Sequence, residues 1–277
     1  MTRYRNMTGA DYDAVARILT ESSRGKAFDF GSLDRWSLVG LSSFWRFSLD
    51  YSYIVERQGE PAAVLIACVD DPATREAFAY YLGLLPEAQG SGAGAKLSRQ
   101  LLLDLQRDGF RTLYAETTTG SPREMFERLG ARATHEFLTL RGDPPPPSAV
   151  AAPVERLRAD QPESWYQAPQ PGVWSERPAF LRTVARHLTV LRGPAGGILV
   201  SSSGTHILHL HLPAGATAEE AAILLRSLAQ HQAESSFVCA GVRRDSREHH
   251  ALLELGFAIV QPSHGLAWDL TQPLPFR

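Results

Sequence analysis

The spacing of apolar and polar residues predicts two successive sets of strands and helices. In the first half, apolar runs predict strands at 4–7, 51–57, 61–69, 76–85, 111–117 and 134–140. Apolar residues at helical spacing predict helices at 8–23, 32–49, 93–108 and 121–130. Thr8 and Asp11 have the spacing of a capping box, and Ser121, Pro122 and Gly130 suit the two ends of the last helix.

A proline-rich segment near the middle of the chain separates the two sets of elements. In 142-GDPPPPSAVAAP-153, consecutive prolines disfavour both helix and central strand and favour an extended spacer. We therefore predict an N-terminal domain at 1–142, a linker at 143–153 and a C-terminal domain at 154–277.

The second half repeats landmarks of the first. Leu85-Pro86 recurs as Leu212-Pro213, and Leu129-Gly130 recurs as Leu255-Gly256, both about 127 residues later. The order of predicted elements between the two landmarks is also the same. This agreement favours a duplicated domain.

Composition describes an ordinary globular chain. The 277 residues are 44% hydrophobic and 21% charged with a formal net charge of −2, so no basic surface predicts a nucleic-acid partner. The N-terminus lacks the apolar run of a secretory signal, and no apolar stretch of about 18 residues predicts a membrane span. We expect a cytoplasmic protein in which Cys68 and Cys239 are buried thiols.

A glycine-rich loop follows the strand predicted at 76–85. In Gln89-Gly90-Ser91-Gly92-Ala93-Gly94, the glycines leave the backbone open at the start of a predicted helix. The first amides of a helix lack internal partners and carry the positive end of its dipole, so anions bind there. No Lys-Ser/Thr pair follows and Gly-x-Gly-x-x-Gly is not matched, which disfavours a P-loop and a dinucleotide fold. A plain turn of small residues is the alternative.

This loop and its flanks resemble a known family signature. The pattern Gln-x-x-Gly-x-Gly, preceded by Leu84-Leu85-Pro86-Glu87, resembles the pyrophosphate-binding signature of the GNAT superfamily of acyl-CoA N-acyltransferases. The element order of residues 1–141 and the Leu-Gly ending of 124-EMFERLGA-131 resemble that superfamily too. The resemblance implies two GNAT-like α/β (α+β) domains, each a mixed, mostly antiparallel twisted sheet flanked by helices.

The resemblance also implies that acetyl-CoA is the cosubstrate. The pyrophosphate would lie on Gln89, Gly90, Ser91, Gly92, Ala93 and Gly94. The main chain of Leu82 and Leu84 would pair with pantetheine, and Ser121 is a further candidate CoA contact. The amine would attack the thioester directly, without an acyl-enzyme.

Direct attack requires a group that takes a proton from the amine. Glu76 and Glu116 are the candidate bases, although either could be a solvated or ion-paired surface residue. Many members of the superfamily have a tyrosine at the position of Phe126 as acid for the departing thiolate, and phenylalanine cannot donate a proton. Tyr81, Tyr114 or water could serve instead, and Tyr81 could equally be a packing residue.

The second half lacks the glycine loop. Ala216, Glu219 and Ala221 lie where the first half has Gln89, Gly92 and Gly94, and Glu219 and Glu220 would repel a pyrophosphate. We predict that this half does not bind CoA and that its acidic residues cap the helix.

Two histidine groups raise the question of a metal. His209 and His211 share one face of a predicted strand, and His249-His250 lies on a predicted helix. No third ligand at supporting spacing accompanies either group, so we expect strand packing for the first and exposed helix surface for the second, with no metal.

An aromatic segment occupies the region where the superfamily builds its variable acceptor site. Core packing explains most of these residues, and one or two would line an acceptor pocket. The segment contains Phe28, Phe30, Trp36, Phe44, Trp45, Phe47, Tyr51 and Tyr53. Asp29, Asp34 and Asp50 could contact a cationic amine.

Together with the resemblance, these observations predict an acetyl-CoA-dependent N-acetyltransferase. A small-molecule amine is the favoured acceptor, and an aminoglycoside-like compound, an amino acid and a protein N-terminus are the alternatives. We expect no nucleic-acid, membrane or metal partner, and a monomer or homodimer. The alternative is a sensor or scaffold that binds acyl-CoA without turnover.

Overall fold

The computed structural model describes residues 2–25, 30–69, 72–118, 121–146, 153–162, 178–203, 206–230 and 236–276. The chain forms two compact units. Unit 1 comprises Met1–Thr134 and Leu266–Arg277, and unit 2 comprises His135–Gly265. Among the described residues, no helix is long and apolar enough to cross a membrane.

Unit 1 is a mixed sheet covered on both faces by helices. Its strands are β1 (Thr2–Asn6), β2 (Phe47–Arg57), β3 (Glu60–Cys68), β4 (Glu76–Leu84) and β5 (Thr112–Thr117), and its helices are α1 (Tyr12–Ser23), α2 (Arg35–Trp45), α3 (Ala93–Arg107) and α4 (Ser121–Arg128). β1 to β4 are antiparallel, and β4 and β5 are parallel. One core cluster packs α3 and α4 onto the sheet, and another packs α1 and α2 onto its opposite face.

Unit 2 repeats this arrangement of strands and helices. It begins within β6 (Arg132–Gly142) and continues through β7 (Glu155–Leu157), α5 (Pro178–Val184), β8 (Thr189–Arg192), β9 (Ile198–Ser203), β10 (His206–His211), α6 (Ala218–Gln230), β11 (Phe237–Arg243), α7 (Arg247–Glu254) and most of β12 (Ala258–Asp269). Its strand order is β12-β6-β11-β10-β9-β8-β7, and that of unit 1 is β1-β2-β3-β4-β5-β12. Cys68 and Cys239 are buried thiols, as predicted.

The limits of the units differ from the predicted domain limits of 1–142 and 154–277. The last residues of β6 belong to unit 2, where they pair with β11 from Phe237↔Gly142 to Arg243↔Phe137. The last twelve residues belong to unit 1, where Leu270 donates its N–H to the carbonyl of Arg111. Each unit therefore includes the end of a strand whose beginning belongs to the other unit.

Most predicted elements of the first half are confirmed, with shifted ends. β1 starts two residues earlier than predicted, and a 3-10 turn at Gly9–Asp11 precedes α1. The helix predicted at 32–49 stops at Trp45, because Arg46 adopts left-handed backbone angles (φ 58°) and its N–H bonds the carbonyl of Ser42. The chain then enters β2.

Asp11 anchors the start of the fold. Its carboxylate accepts bonds from both terminal nitrogens of Arg5 (2.6 and 2.8 Å) and from the N–H of Thr8 (2.8 Å). The hydrogen bond from Arg5 is the main reason why the pKa of Asp11 falls to about 2. Burial of Asp11, which is only 8% exposed, acts in the opposite direction and raises this pKa. The predicted capping residue thus also belongs to a partly buried ion pair.

We expect Asp11→Asn to lower the free energy of unfolding by about 2 kcal/mol at pH 7. A folded-state pKa below the unfolded value of 3.8 stabilises the fold above pH 4, and this contribution disappears as the pH falls from about 4 to about 2. Urea unfolding of wild type and variant across this range measures the effect. Stability curves that stay parallel down to pH 2 would contradict the assignment.

Candidate active site

A gap opens between two parallel strands of unit 1. β4 and β5 pair only from Glu76↔Thr112 to Ala79↔Ala115, whereas β4 continues beside β3 as far as Ala63↔Leu84. β4 and β5 therefore diverge beyond Ala79. The main chain of the second half of β4 faces this gap.

A bulge marks the point of divergence. Ile66 pairs with Tyr81 and Ala67 with Ala79, which leaves Tyr80 as an extra residue in β4. Bulges change which face of a sheet a side chain points to. Tyr80 and Tyr81 consequently both pack on the α1/α2 face, and Leu82 packs on the α3/α4 face.

The glycine-rich loop lies directly at the start of α3. Gly90 and Gly92 have φ of 68° and 77°, and a β-carbon built on either would meet no other atom within 4 Å. These two glycines therefore supply a left-handed backbone beside open space. The first helical bond runs from Lys96 N–H to the carbonyl of Gly92 (3.1 Å), so the amides of the first turn lie at this opening.

The remaining loop residues have different contacts. Gly94 is buried, and a β-carbon there would lie 3.3 Å from Leu82 and 3.6 Å from Met125, so this glycine allows close packing of α3. Ser91 Oγ donates to the carbonyl of Ala88 (2.6 Å), and Gln89 Nε2 donates to that of Leu84 (3.3 Å). Both side chains thus hold the turn that joins β4 to α3.

Two candidate catalytic residues meet on the α1/α2 face. The hydroxyl of Tyr114 donates to Glu76 Oε1 at 3.2 Å. Glu116 lies two residues further along β5, on the same face, and is exposed. Tyr81 lies apart from this pair, with its hydroxyl 3.1 Å from Ser22 Oγ on α1. Ser121 is the first residue of α4, and its side chain lies outside the described residues.

Phe126 faces the core. Its ring packs edge-on against Trp268, with ring centroids 5.4 Å apart, and the indole N–H of Trp268 donates to the carbonyl of Leu129 (3.0 Å). Phe126 is buried in the apolar cluster under α4. A tyrosine hydroxyl here would be enclosed by apolar side chains, which explains the phenylalanine.

Part of the predicted aromatic segment surrounds the bulge. The Tyr80 ring lies 5.0 Å from Trp45 and 4.9 Å from Phe47, and Phe30 lies 5.1 Å from Tyr81. Among the described residues, the buried hydroxyl of Tyr80 has no hydrogen-bond partner, and burial raises its pKa.

The other residues of that segment have structural contacts. Tyr53 donates to Asp104 (2.7 Å) and Tyr51 to Asp108 (3.1 Å), while Trp36 is 76% exposed. Asp34 caps α2 by accepting the N–H of Ser37 (2.7 Å), and hydrogen bonds from the side chain and the backbone of Ser37 lower the pKa of Asp34. Phe28 and Asp29 lie outside the described residues.

In unit 2 the side chain of Glu220 does not occupy the place predicted for it. Glu220 is buried and accepts the N–H groups of Ala195 and Gly197, which form the turn between β8 and β9. Glu219 pairs with Arg226 instead. The prediction that both carboxylates face a pyrophosphate position is wrong for Glu220, because the β8–β9 turn lies close enough to bind its carboxylate.

The corresponding strand end of unit 2 is already hydrogen-bonded. β10 pairs with β11 only at His206↔Val238 and Ile207↔Cys239. Just beyond β10, Leu212 donates its N–H to Glu248 (2.8 Å) and its carbonyl accepts from Arg247. Side chains of α7 therefore occupy the main-chain groups at this position.

The histidines of unit 2 lie partly as expected. His209 and His211 share one face, with stacked rings 6.3 Å apart. The prediction that His249 is exposed is wrong: it is only 6% exposed, and its Nδ1 accepts the N–H of Asp245. Ligand atoms of Asp245, His249 and His250 lie within 4.8 Å of one another, close enough to share a cation.

We expect Glu220→Ala to lower the free energy of unfolding by about 2 to 4 kcal/mol, because backbone N–H groups in the β8–β9 turn lose their acceptor. The exposed neighbour Glu219 supplies the control, since Glu219→Ala should change stability by no more than about 0.5 kcal/mol. Denaturant unfolding followed by circular dichroism compares the two variants. Equal effects would contradict the role given to Glu220.

The comparisons with known proteins agree with this geometry. The acetyltransferase (GNAT) family profile matches residues 15–131, which span the gap, the glycine loop and α4. Residues 15–131 are therefore similar in sequence to a GNAT acetyltransferase domain. A search of curated protein sequences finds no significant match.

Solved structures share this fold over nearly all of the chain. A tandem GNAT protein from the clavulanic acid biosynthesis pathway is 14% identical with a TM-score of 0.68, covering 99% of each chain. A GCN5-related N-acetyltransferase from Sphaerobacter thermophilus is 14% identical with a TM-score of 0.69, covering 98% of this chain and 96% of the other. A protein from Pyrococcus horikoshii is 13% identical with a TM-score of 0.69, covering 97% of this chain and 89% of the other.

Proposed function

We propose that unit 1 transfers an acetyl group from acetyl-CoA to a primary amine by direct attack. The observation that carries this proposal is the open glycine loop at the start of α3, beside the gap between β4 and β5. The loop offers backbone amides and a helix dipole to the pyrophosphate. The free edge of β4 offers main-chain groups to pantetheine and the thioester carbonyl.

The pair Glu76–Tyr114 is the best-supported proton acceptor. A neutral amine must lose a proton after it attacks, and a carboxylate can take that proton directly or through one water. The hydrogen bond from Tyr114 fixes the position of the Glu76 carboxylate. Glu76 is the first residue of β4, the strand that contains the bulge. Tyr114 is then a positioning residue and Glu76 the base, and Tyr81 beside Ser22 remains a candidate acid for the thiolate.

Glu76→Gln should lower kcat for amine acetylation about 100-fold while leaving the Kd of acetyl-CoA unchanged, because a base contributes about 10²- to 10⁴-fold. Tyr114→Phe should have a smaller effect on kcat, because Tyr114 only positions the carboxylate. Release of CoA thiol with a panel of primary amines measures the rate. Glu116→Gln is the control, and a larger loss of kcat in Glu116→Gln than in Glu76→Gln would reverse the assignment.

An acyl-CoA sensor or scaffold is the second candidate, and the core position of Phe126 favours it, because α4 supplies no tyrosine acid there. The two candidates differ in one observable. An enzyme releases CoA thiol faster when an amine is present than when it is absent, whereas a sensor binds acetyl-CoA with no amine-dependent release.

We further propose a small-molecule acceptor, a cytoplasmic location, and a monomer or homodimer with one CoA site per chain. The acidic first turn of α6 and the occupied main chain of Leu212 support a single site in unit 1. Calorimetric stoichiometry tests the site count: two acetyl-CoA molecules per chain would exclude it.

A further inference from the structure

A second cavity lies in unit 1 at the start of β4. It has a volume of about 600 Å³, a size typical of small-molecule sites. It is lined by Ser42, Ser43, Arg46, Phe47, Ser48, Asp50, Tyr51, Val69, Arg75 and Phe110. The glycine loop follows the other end of this nine-residue strand, roughly 26 Å along it. The cavity is therefore distinct from the proposed pyrophosphate site.

An irregularity in β2 shapes this cavity. Ser48 pairs with Ala67 but Tyr53 pairs with Leu65, so the residues between Ser48 and Tyr53 leave the regular ladder. Ser52 Oγ holds the distortion by donating to the carbonyl of Ser48 (2.6 Å) and accepting the N–H of Ala67 (3.1 Å). The distorted segment contributes Asp50 and Tyr51 to the lining. Such bulges frequently lie beside binding sites.

Two arginines occupy unfavourable backbone positions at the cavity. Arg46 and Arg75 have φ of 58° and 57°, a left-handed conformation that glycine adopts without steric cost. Neither backbone conformation requires an arginine, so the side chain of each arginine explains why this residue is present. In the part of the chain that the structure describes, the Arg46 guanidinium makes no hydrogen bond or ion pair, whereas Arg75 donates to the carbonyl of Asp108 (3.3 Å).

The other lining residues indicate which uncharged groups of an anionic ligand the cavity could contact. Phe47, Tyr51 and Phe110 supply aromatic walls, with Tyr51 and Phe110 edge to face at 5.2 Å. The hydroxyls of Ser43 and Ser48 can donate further hydrogen bonds, whereas Ser42 Oγ already donates to the carbonyl of Val39 (2.9 Å). Among the described lining residues, Asp50 is the carboxylate that opposes two guanidinium groups; Asp70 and Asp71, which follow Val69 in sequence, lie outside the described residues.

We propose that this cavity binds a small organic anion, a carboxylate or phosphate ester carried on a ring, with its charge on Arg46 and Arg75 and its ring on the aromatic walls. Guanidinium groups pair with both kinds of anion through two hydrogen bonds. The proposal does not depend on acyl transfer in unit 1, although Phe47, Tyr51 and Asp50 belong to the segment expected at the acceptor site.

The test measures phenyl phosphate and benzoate binding to the full chain by calorimetry. Inorganic phosphate and benzyl alcohol are the two halves of the ligand and should each bind at least tenfold more weakly than phenyl phosphate. Comparing phenyl phosphate with benzoate distinguishes the two kinds of anion. Failure of the wild type to bind either compound at millimolar concentration would overturn the proposal.

Glycine variants separate binding from backbone effects. Arg46→Gly and Arg75→Gly should each weaken phenyl phosphate binding at least tenfold, while Arg46→Gly should leave the Tm unchanged or raised, because glycine relieves the left-handed backbone. Gln58→Gly is the matched control: Gln58 also has a positive φ (54°) but does not line the cavity. Equal binding by Gln58→Gly and wild type supports the site, whereas unchanged binding in Arg46→Gly would refute it. The Kd of acetyl-CoA should stay unchanged in Arg46→Gly. Weaker binding of acetyl-CoA by this variant would show that the cavity is part of the CoA site.

Discussion

Gly92→Asp should raise the Kd of acetyl-CoA about 100-fold or more in calorimetric titration. Gly92 is the residue immediately before α3, at φ 77°, with open space above it. An aspartate there puts a negative charge beside the first-turn amides, where it competes with the pyrophosphate and repels it. A like-charge contact of this kind costs on the order of 2 to 3 kcal/mol at a partly desolvated site.

Two controls isolate the charge from the backbone. Gly92→Asn has nearly the same size and tolerates left-handed angles, so it should lose much less affinity than Gly92→Asp. Gly215→Asp places the same carboxylate on another open, positive-φ glycine, shortly before α6 in unit 2, and should leave the affinity unchanged. If Gly92→Asp binds acetyl-CoA as tightly as wild type, the pyrophosphate site lies elsewhere, and if the wild type itself does not bind acetyl-CoA, both the enzyme and the sensor proposals fail.

The sequence predicts the local features of this site well, because local features follow from short-range rules. Alternation and turn residues predict β4, and glycine spacing before a leucine-rich helix predicts the loop at α3. The capping role of Asp11 is visible in the sequence, but its ion pair with Arg5 is not, because it requires β1 to fold beside α1. The separate roles of Gly92 and Gly94 also depend on the distance from α3 to Leu82.

Other features depend on contacts that no local pattern encodes. The bulge at Tyr80 turns Tyr80 and Tyr81 to the same face, which an alternating pattern cannot predict. The bond between Tyr114 and Glu76 depends on the register of β4 against β5. Glu220 is aligned with the glycine loop in sequence, yet its carboxylate is bound by a turn more than twenty residues earlier. No local sequence pattern indicates that β6 and β12 each begin in one unit and end in the other.

Trp268→Ala should lower the free energy of unfolding of unit 1 by about 3 to 5 kcal/mol, as expected for removal of a buried aromatic side chain. Trp268 is 2% exposed, packs against Phe126 and bonds the carbonyl of Leu129, although it lies more than a hundred residues further along the chain. Its removal leaves a cavity beneath α4 and an unpaired carbonyl. Urea unfolding followed by circular dichroism, with acetyl-CoA binding as the readout of unit 1, measures the loss.

Trp36 provides the matched control, because it is the same residue type at 76% exposure. Trp36→Ala should shift stability by no more than about 0.5 kcal/mol.

The contacts of Trp268 with Phe126 and Leu129 also predict that a chain ending at residue 142, the predicted domain limit, cannot keep unit 1 folded, since it lacks Leu266–Arg277 and exposes the apolar surface of Phe126 and Leu129. If that short chain bound acetyl-CoA with wild-type affinity, unit 1 would not require the C-terminal strand, and the predicted domain limits would describe the folding unit better than the compact units do.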